Sequence, residues 1–244
     1  MVETLNSRTA LYFSKEQLEI VESLCIVVVG CGGVGSMAAE ALVRMNIKHL
    51  ILIDHDVVAT SNRNRQIHAT TETIGLTKTL ACKKRFLSIN PGIQITLVDA
   101  FVQPDNIEQL IPTPVDGIID AIDTVTAKLA IAQYAARHGL AMISSMGMGN
   151  RLDPTKVTIG PLNKTSYDPL AKVMRGLYRK HQLHDKINVV YSLEIPIKQK
   201  MVISDSVILK QAQPPASVAF VPMAAGLACA YEIVRQCLKR KEML

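Results

Sequence analysis

The chain has 244 residues, 48% hydrophobic and 20% charged, with 27 Lys and Arg against 21 Asp and Glu for a formal charge of +6. That length buries a substantial core and suits one domain with elaborations, so a disordered or low-complexity chain is excluded. The basic balance permits an anionic partner without identifying it, and five cysteines with no C-x-x-C pair argue against a disulfide framework and a simple zinc site, so no zinc is expected.

Met1 to Ser14 holds Glu3 and Arg8 among polar residues rather than a basic start and an apolar block. It is no secretory signal, and a cytoplasmic place is expected. After an N-terminal arm and helix over 1–24, apolar β-branched runs predict strands at Cys25–Val29, His49–Ile53, Ile93–Val98, Gly117–Ile122 and Leu140–Ser144. Helical patterns at Ser36–Met45, Leu76–Ser88 and Ala127–His138 fall between them. This β-α-β rhythm over 25–146 predicts an α/β, Rossmann-like, doubly wound and mostly parallel sheet. From 147 to 244 the pattern becomes an elaborated C-terminal region: loops, a helix near Pro169–His181, a strand near Val189–Leu193 and a long apolar helix. That last segment, SVAFVPMAAGLACAYEIV, is long enough to weigh as a membrane span. Pro222, Gly226 and Glu232 argue instead for a buried helix at a subunit interface, so membrane association is not expected.

VVVGCGGVGS puts Gly30, Gly32, Gly33 and Gly35 between a strand and a helix, where glycine lets the backbone turn tightly and approach a phosphate chain. Asp54 ends the next strand, where a carboxylate accepts hydrogen bonds from ribose hydroxyls. A nucleotide is indicated, and these residues alone also fit an NAD-dependent oxidoreductase. The segment beyond Asp54 separates the candidates. DHDVVATSNRNRQIH gathers Asp54, Asp56, Asn62, Arg65 and Gln66 beyond the strand, and GLTK adds Lys78 at the start of a helix. Two fixed cations suit a triphosphate, because charge builds on the phosphates as pyrophosphate leaves. In IIDAID, Asp123 reaches the same carboxyl edge of the sheet, where it could hold Mg2+; taken alone it reads as a helix N-cap.

The set GCGGVGS, DHDVVATSNRNRQIHA, GLTK and DAIDT resembles the nucleotide site of the family of ubiquitin-activating enzymes and the bacterial adenylyltransferases of molybdopterin and thiamin synthesis. The resemblance implies AMP transfer from ATP to a carboxylate. It assigns Asp54 to the ribose, Asn62, Arg65 and Lys78 to the phosphates and Asp123 to the metal. SRTALYF resembles the family's N-terminal arm, making Arg8 a candidate for the neighbouring subunit's ATP in a homodimer. MGMGNRLDPTKV, DPLAKVMR, VVYSLEIP and SVAFVPMAAGL are similar to the bacterial tRNA threonylcarbamoyladenosine dehydratases, whose substrate is a modified adenosine in the anticodon loop. Where some members carry a cysteine before YS, this chain has Val189 and Val190, so no catalytic thiol is assigned; Ala216 replaces a common glycine.

The implied chemistry needs no Ser/His/Asp or Cys/His set, because adenylation supplies the leaving group and the substrate supplies its own nucleophile. With tRNA as substrate, the cluster Lys172, Arg175, Arg179 and Lys180 becomes a candidate for phosphate contacts, beside the alternative of a solvated helix face. A sulfur-transfer-related protein partner also fits. The alternative function is activation of the C-terminal carboxylate of a ubiquitin-like sulfur carrier.

Overall fold

The computed structural model describes residues 3–112, 114–184, 187–198 and 215–242. Ser14 and Gln17 form a reciprocal capping box that starts α1 (Lys15–Ser23). The core then alternates: β1 (Cys25–Val29), α2 (Gly33–Arg44), β2 (His49–Ile53), α3 (Lys78–Ile89), β3 (Gln94–Val98), the short α4 (Ile107–Leu110), β4 (Gly117–Asp120), α5 (Val125–Arg137) and β5 (Ala141–Ser145). The C-terminal part adds β6 (Val157–Pro161), α6 (Pro169–Lys180), β7 (Asn188–Ser192) and α7 (Phe220–Arg240).

All seven strands join one sheet in the order β3-β2-β1-β4-β5-β7-β6. Six run parallel, and only the edge strand β6 is antiparallel, paired to β7 with Val157 opposite Ser192. The expected doubly wound sheet is present, and the elaborated region extends it rather than forming a second one. Alternation along β1 shows why both faces are covered. Ile26 and Val28 pack with Leu42 of α2, Phe86 of α3 and Ile233 of α7, while Val27 and Val29 pack with Ile131 and Tyr134 of α5. A third cluster seats Met174 and Tyr178 of α6 on Val189 and Tyr191 of β7. The chain order reverses between β1 and β4, which opens a crevice at their carboxyl ends.

The apolar C-terminal run is α7, buried against α2 and the sheet through Ala225, Cys229 and Ile233. Among the described residues no helix is long and apolar enough to cross a membrane. Its contact with α2 depends on Gly226, where a Cβ would stand 2.5 Å from the Val34 carbonyl oxygen and 2.8 Å from Met37 Cβ. Gly226→Ala should therefore cost about 1–3 kcal/mol by overpacking, read as a lower urea midpoint. Gly176→Ala on α6, where a Cβ meets nothing within 4 Å, should instead stabilise by about 0.4–1 kcal/mol by restricting the unfolded chain.

Candidate active site

The crevice between β1 and β4 is a cleft of about 460 Å3. Its floor is the glycine loop, whose Gly30, Gly32 and Gly33 line it. Gly35 sits beneath, where a Cβ would stand 1.7 Å from the Gly30 carbonyl oxygen, so the loop turns into α2 only with glycine there. The first turn of α2 then faces the cleft with amides that no intrahelical carbonyl takes, an arrangement suited to phosphate.

Asp54 ties this loop to the next one. Its Oδ2 accepts from the Cys31 amide at 2.6 Å and its Oδ1 from the Asp56 amide at 2.8 Å, and it is nearly buried. A carboxylate has lone pairs to spare for a further donor. Lys78, at the start of α3, donates from its backbone to the Asp56 carbonyl and from Nζ to Asp56 Oδ2 at 2.6 Å. Partial burial pushes the Asp56 carboxyl up, but the hydrogen bond and charge of Lys78 and the charge of His55 outweigh it and hold the group below its ordinary value. Arg65 is half-buried on the rim, its guanidinium oriented by the Ser61 carbonyl at 3.0 Å and Asn64 Oδ1 at 2.8 Å.

Asn62 and Gln66 do not line this cleft. Asn62 caps the 3-10 turn Thr60–Asn64 by accepting the Ala59 amide at 3.0 Å, and Gln66 is buried beneath that turn. The turn sends Arg65 to the rim and its neighbours elsewhere. Asp123 lies exposed on the cleft and makes no hydrogen bond or ion pair with the described residues. It is not a helix cap either: Thr124 is the N-cap of α5, and no side chain caps it. A free carboxylate facing a phosphate site matches what Mg2+ asks of a protein, one or two carboxylates beside substrate phosphates. Asp54, His55 and Asp56 also bring ligand atoms within 4.8 Å of one another, but Lys78 already occupies Asp56.

Arg8 is exposed at the N-terminal turn and does not line its own chain's cleft. On α6, Lys172, Arg179 and Lys180 are exposed. Arg175 departs from the expected phosphate contact, because its guanidinium folds back onto the Thr165 carbonyl at 3.0 Å and the Thr165 hydroxyl.

Several lining groups escaped the sequence reading. Phe101 and His55 meet edge to face with ring centroids 4.7 Å apart and form one wall. Behind the opposite wall lies an ion pair with no exposure at all: Lys128 Nζ stands 2.9 Å from Asp120 Oδ2. The same ammonium donates to the Ile122 carbonyl at 3.0 Å and the Ser145 carbonyl at 2.8 Å, while Ser144 donates to Asp120 at 2.7 Å. A lone lysine within the Ala-rich face of α5 was the available signal. In the C-terminal part, buried Arg151 donates to the Gly147, Tyr167 and Glu194 carbonyls and lies 3.6 Å from the Asp168 carboxylate.

Lys128→Met leaves Asp120 buried without a counter-charge and should cost about 3–5 kcal/mol, read by urea unfolding. Adding Asp120→Asn to that variant should recover part of the loss, since the stranded charge is then gone.

The model of the ThiF family matches residues 6–243. The chain is 37% identical over 243 residues to the tRNA threonylcarbamoyladenosine dehydratase of Bacillus subtilis, covering 97% of this chain and 96% of that protein. Among solved structures, the E. coli tRNA N6-threonylcarbamoyladenosine dehydratase in complex with AMP is similar with a TM-score of 0.86 at 32% identity, covering 97% of this chain and 94% of that one. Its complex with ATP gives the same TM-score and identity over 96% and 93%. A glycine loop, two cations and a free carboxylate at the sheet's switch point thus occur in a chain that matches the family model over almost its whole length, and the chain belongs to the ThiF family.

Proposed function

We propose that this chain is an ATP-dependent tRNA-modifying enzyme that adenylates the threonyl carboxylate of threonylcarbamoyladenosine in the anticodon loop and so promotes its dehydration to the cyclic form. The observation that carries the reading is the grouping of Lys78, Arg65 and the unpartnered Asp123 around one glycine loop. The names of the relatives supply the substrate.

In this reading a carboxylate oxygen attacks the α-phosphorus of ATP and pyrophosphate leaves with the electrons of the broken P–O bond. A nucleophile within the substrate then attacks the acyl carbon, AMP departs with the former carboxylate oxygen, and the nucleophile's proton passes to solvent. The sum is ATP to AMP and pyrophosphate with loss of one water from the nucleoside. The amides of the glycine loop and α2 receive phosphate oxygens, Asp54 the ribose, and Arg65 and Lys78 the charge that builds as pyrophosphate leaves. Asp123 would hold Mg2+, which supplies charge neutralisation on the phosphates when bound. The apolar wall of Phe101 and Val102 suits a purine face.

Residues 1–244 act in this reading as one adenylating unit, with 147–244 serving substrate and subunit contacts. A homodimer is part of it. Phe220, Leu227 and Tyr231 of α7 are 59%, 50% and 63% exposed and share one helix face, and the arm bearing Arg8 exposes Leu11 and Tyr12. Such an assembly would bring the partner's Arg8 to the cleft. Lys172, Arg179 and Lys180 are assigned to tRNA phosphates, the cytoplasm is the proposed place of action, and a sulfur-transfer-related protein remains a proposed partner.

With tRNA carrying threonylcarbamoyladenosine, AMP and pyrophosphate should form and the nucleoside should lose the mass of one water. ADP formation or an unchanged nucleoside mass would refute the reading. Pyrophosphate exchange stimulated by a carrier protein ending in Gly-Gly would favour the sulfur-carrier alternative. Lys78→Ala and Arg65→Ala should each lower turnover about a hundredfold or more. Mixing Arg8→Ala chains with Arg65→Ala chains should restore partial activity, since each mixed dimer rebuilds one complete site; no restoration would remove the role of Arg8 across subunits.

A further inference from the structure

The basic clusters of α6 and α7 lie far apart in the chain, yet both lead to one place in the fold. Each helix starts at the nucleotide cleft, where Leu170 and Pro222 line the wall. Each ends at the opposite edge of the sheet, where the strands begin. There Tyr178, Leu140, Asn188, Arg235, Lys239 and Arg240 border a second cavity, of about 710 Å3, larger than the nucleotide cleft.

Cations outnumber acids along the lining of this far cavity, with Arg235, Lys239 and Arg240 against Glu232. Glu232 is the one described acid lining it, and it is buried, bound to Arg235 at 2.7 and 2.8 Å and to Asn188 at 3.0 Å. Among the described residues Arg240 donates only to backbone carbonyls, those of Gly139 and Leu140, and makes no ion pair. Lys239 and Lys241 are exposed, and so are Arg179 and Lys180 at the end of α6; Glu242 is exposed beside Lys241. Cations at helix ends are favoured by the macrodipole, which explains part of this clustering. It does not explain Lys172, placed near the start of α6, where the dipole disfavours a cation and the N-cap carboxylate of Asp168 is turned inward to the Ala171 amide and Arg151. The positive charge therefore runs the length of the helix, about 18 Å for its 12 residues.

We infer that α6 and the far cavity form a track for the sugar-phosphate backbone of a tRNA stem. Lys172 takes phosphates near the cleft, Arg179 and Lys180 those further on, and Lys239 and Lys241 those beyond the anticodon stem-loop. The inference rests on the proposed tRNA function and deepens it: the enzyme grips the body of the tRNA and not only the loop that carries the reacting base. Backbone contacts of this kind recognise shape and charge rather than sequence, and they respond to salt through counterion release.

The test compares the wild-type chain with a Lys239→Glu, Lys241→Glu double variant on two substrates, full-length tRNA carrying the modified base and its excised anticodon stem-loop. The wild type should bind the full tRNA more tightly than the stem-loop. The variant should lose at least about tenfold in affinity for the full tRNA, with the slope of log affinity against log salt shallower by about two. Its turnover on the stem-loop and its ATP affinity should stay at the wild-type level. Unchanged affinity and slope on full tRNA overturn the track. An equal loss on both substrates also overturns it, since the contact then lies within the stem-loop. A wild-type chain that converts neither RNA defeats the tRNA reading and the track with it, whereas conversion of both with an unaffected variant defeats the track alone.

Discussion

The ammonium of Lys128 has three protons and three acceptors, the Asp120 carboxylate and the Ile122 and Ser145 carbonyls, and neither charged side chain is exposed. Those acceptors belong to the ends of β4 and β5, so a single side chain of α5 holds both loops that leave the sheet at the cleft. Asp123 comes directly after Ile122, and Met146 to Gly149 continue from Ser145 along the wall. A buried ion pair of this kind contributes little net stability, because desolvation offsets most of the Coulombic gain. What it supplies here is position. Each of its partners is satisfied only when the two loops stand at one spacing, and the free carboxylate of Asp123 inherits that spacing.

Arg151 performs the corresponding task for the C-terminal part. Its guanidinium binds the glycine-rich loop after β5, the Tyr167 carbonyl and the segment after β7, while burial lowers its pKa against the raising charges of Asp168 and Glu194. Asp168 in turn caps α6 by accepting the Ala171 amide at 2.9 Å. The helix that carries the proposed tRNA contacts is thus anchored, through Arg151, to the loop that walls the nucleotide cleft. Lys128 and Arg151 are consecutive links, joined by the short stretch from Ser145 to Gly147.

Local chemistry made much of this legible in the sequence. β1 and β2 occupy the predicted Cys25–Val29 and His49–Ile53 because both are short apolar runs whose alternate residues enter opposite core layers. β6 was missed because Val157–Pro161 mixes Thr, Gly and Pro, and every residue of that edge strand is only partly buried. Within the site, residue type and spacing placed Gly30, Asp54, Asp56, Arg65, Lys78 and Asp123 at the cleft, but did not give the direction of neighbouring side chains. Asn62 and Arg65 are three positions apart, yet a 3-10 turn gives one to its own cap and the other to the rim. Arg175 reads as one of a basic set until Thr165, brought near by tertiary folding, takes its guanidinium. Asp120 and Lys128 read as a strand end and a helix residue, because only the packed fold reveals that no water reaches either.

The first turn of α7 belongs to two surfaces at once. Pro222 lines the nucleotide cleft and would stand 3.0 Å from a Cβ on Gly33, while Phe220, two residues before it, points outward among the exposed apolar residues of the same helix. A rigid helical turn cannot shift one of these residues without moving the other. An occupant of the outer face that displaced this turn would therefore change the cleft, and by thermodynamic reciprocity a nucleotide in the cleft would then alter, by the same free energy, the affinity of the outer face for that occupant.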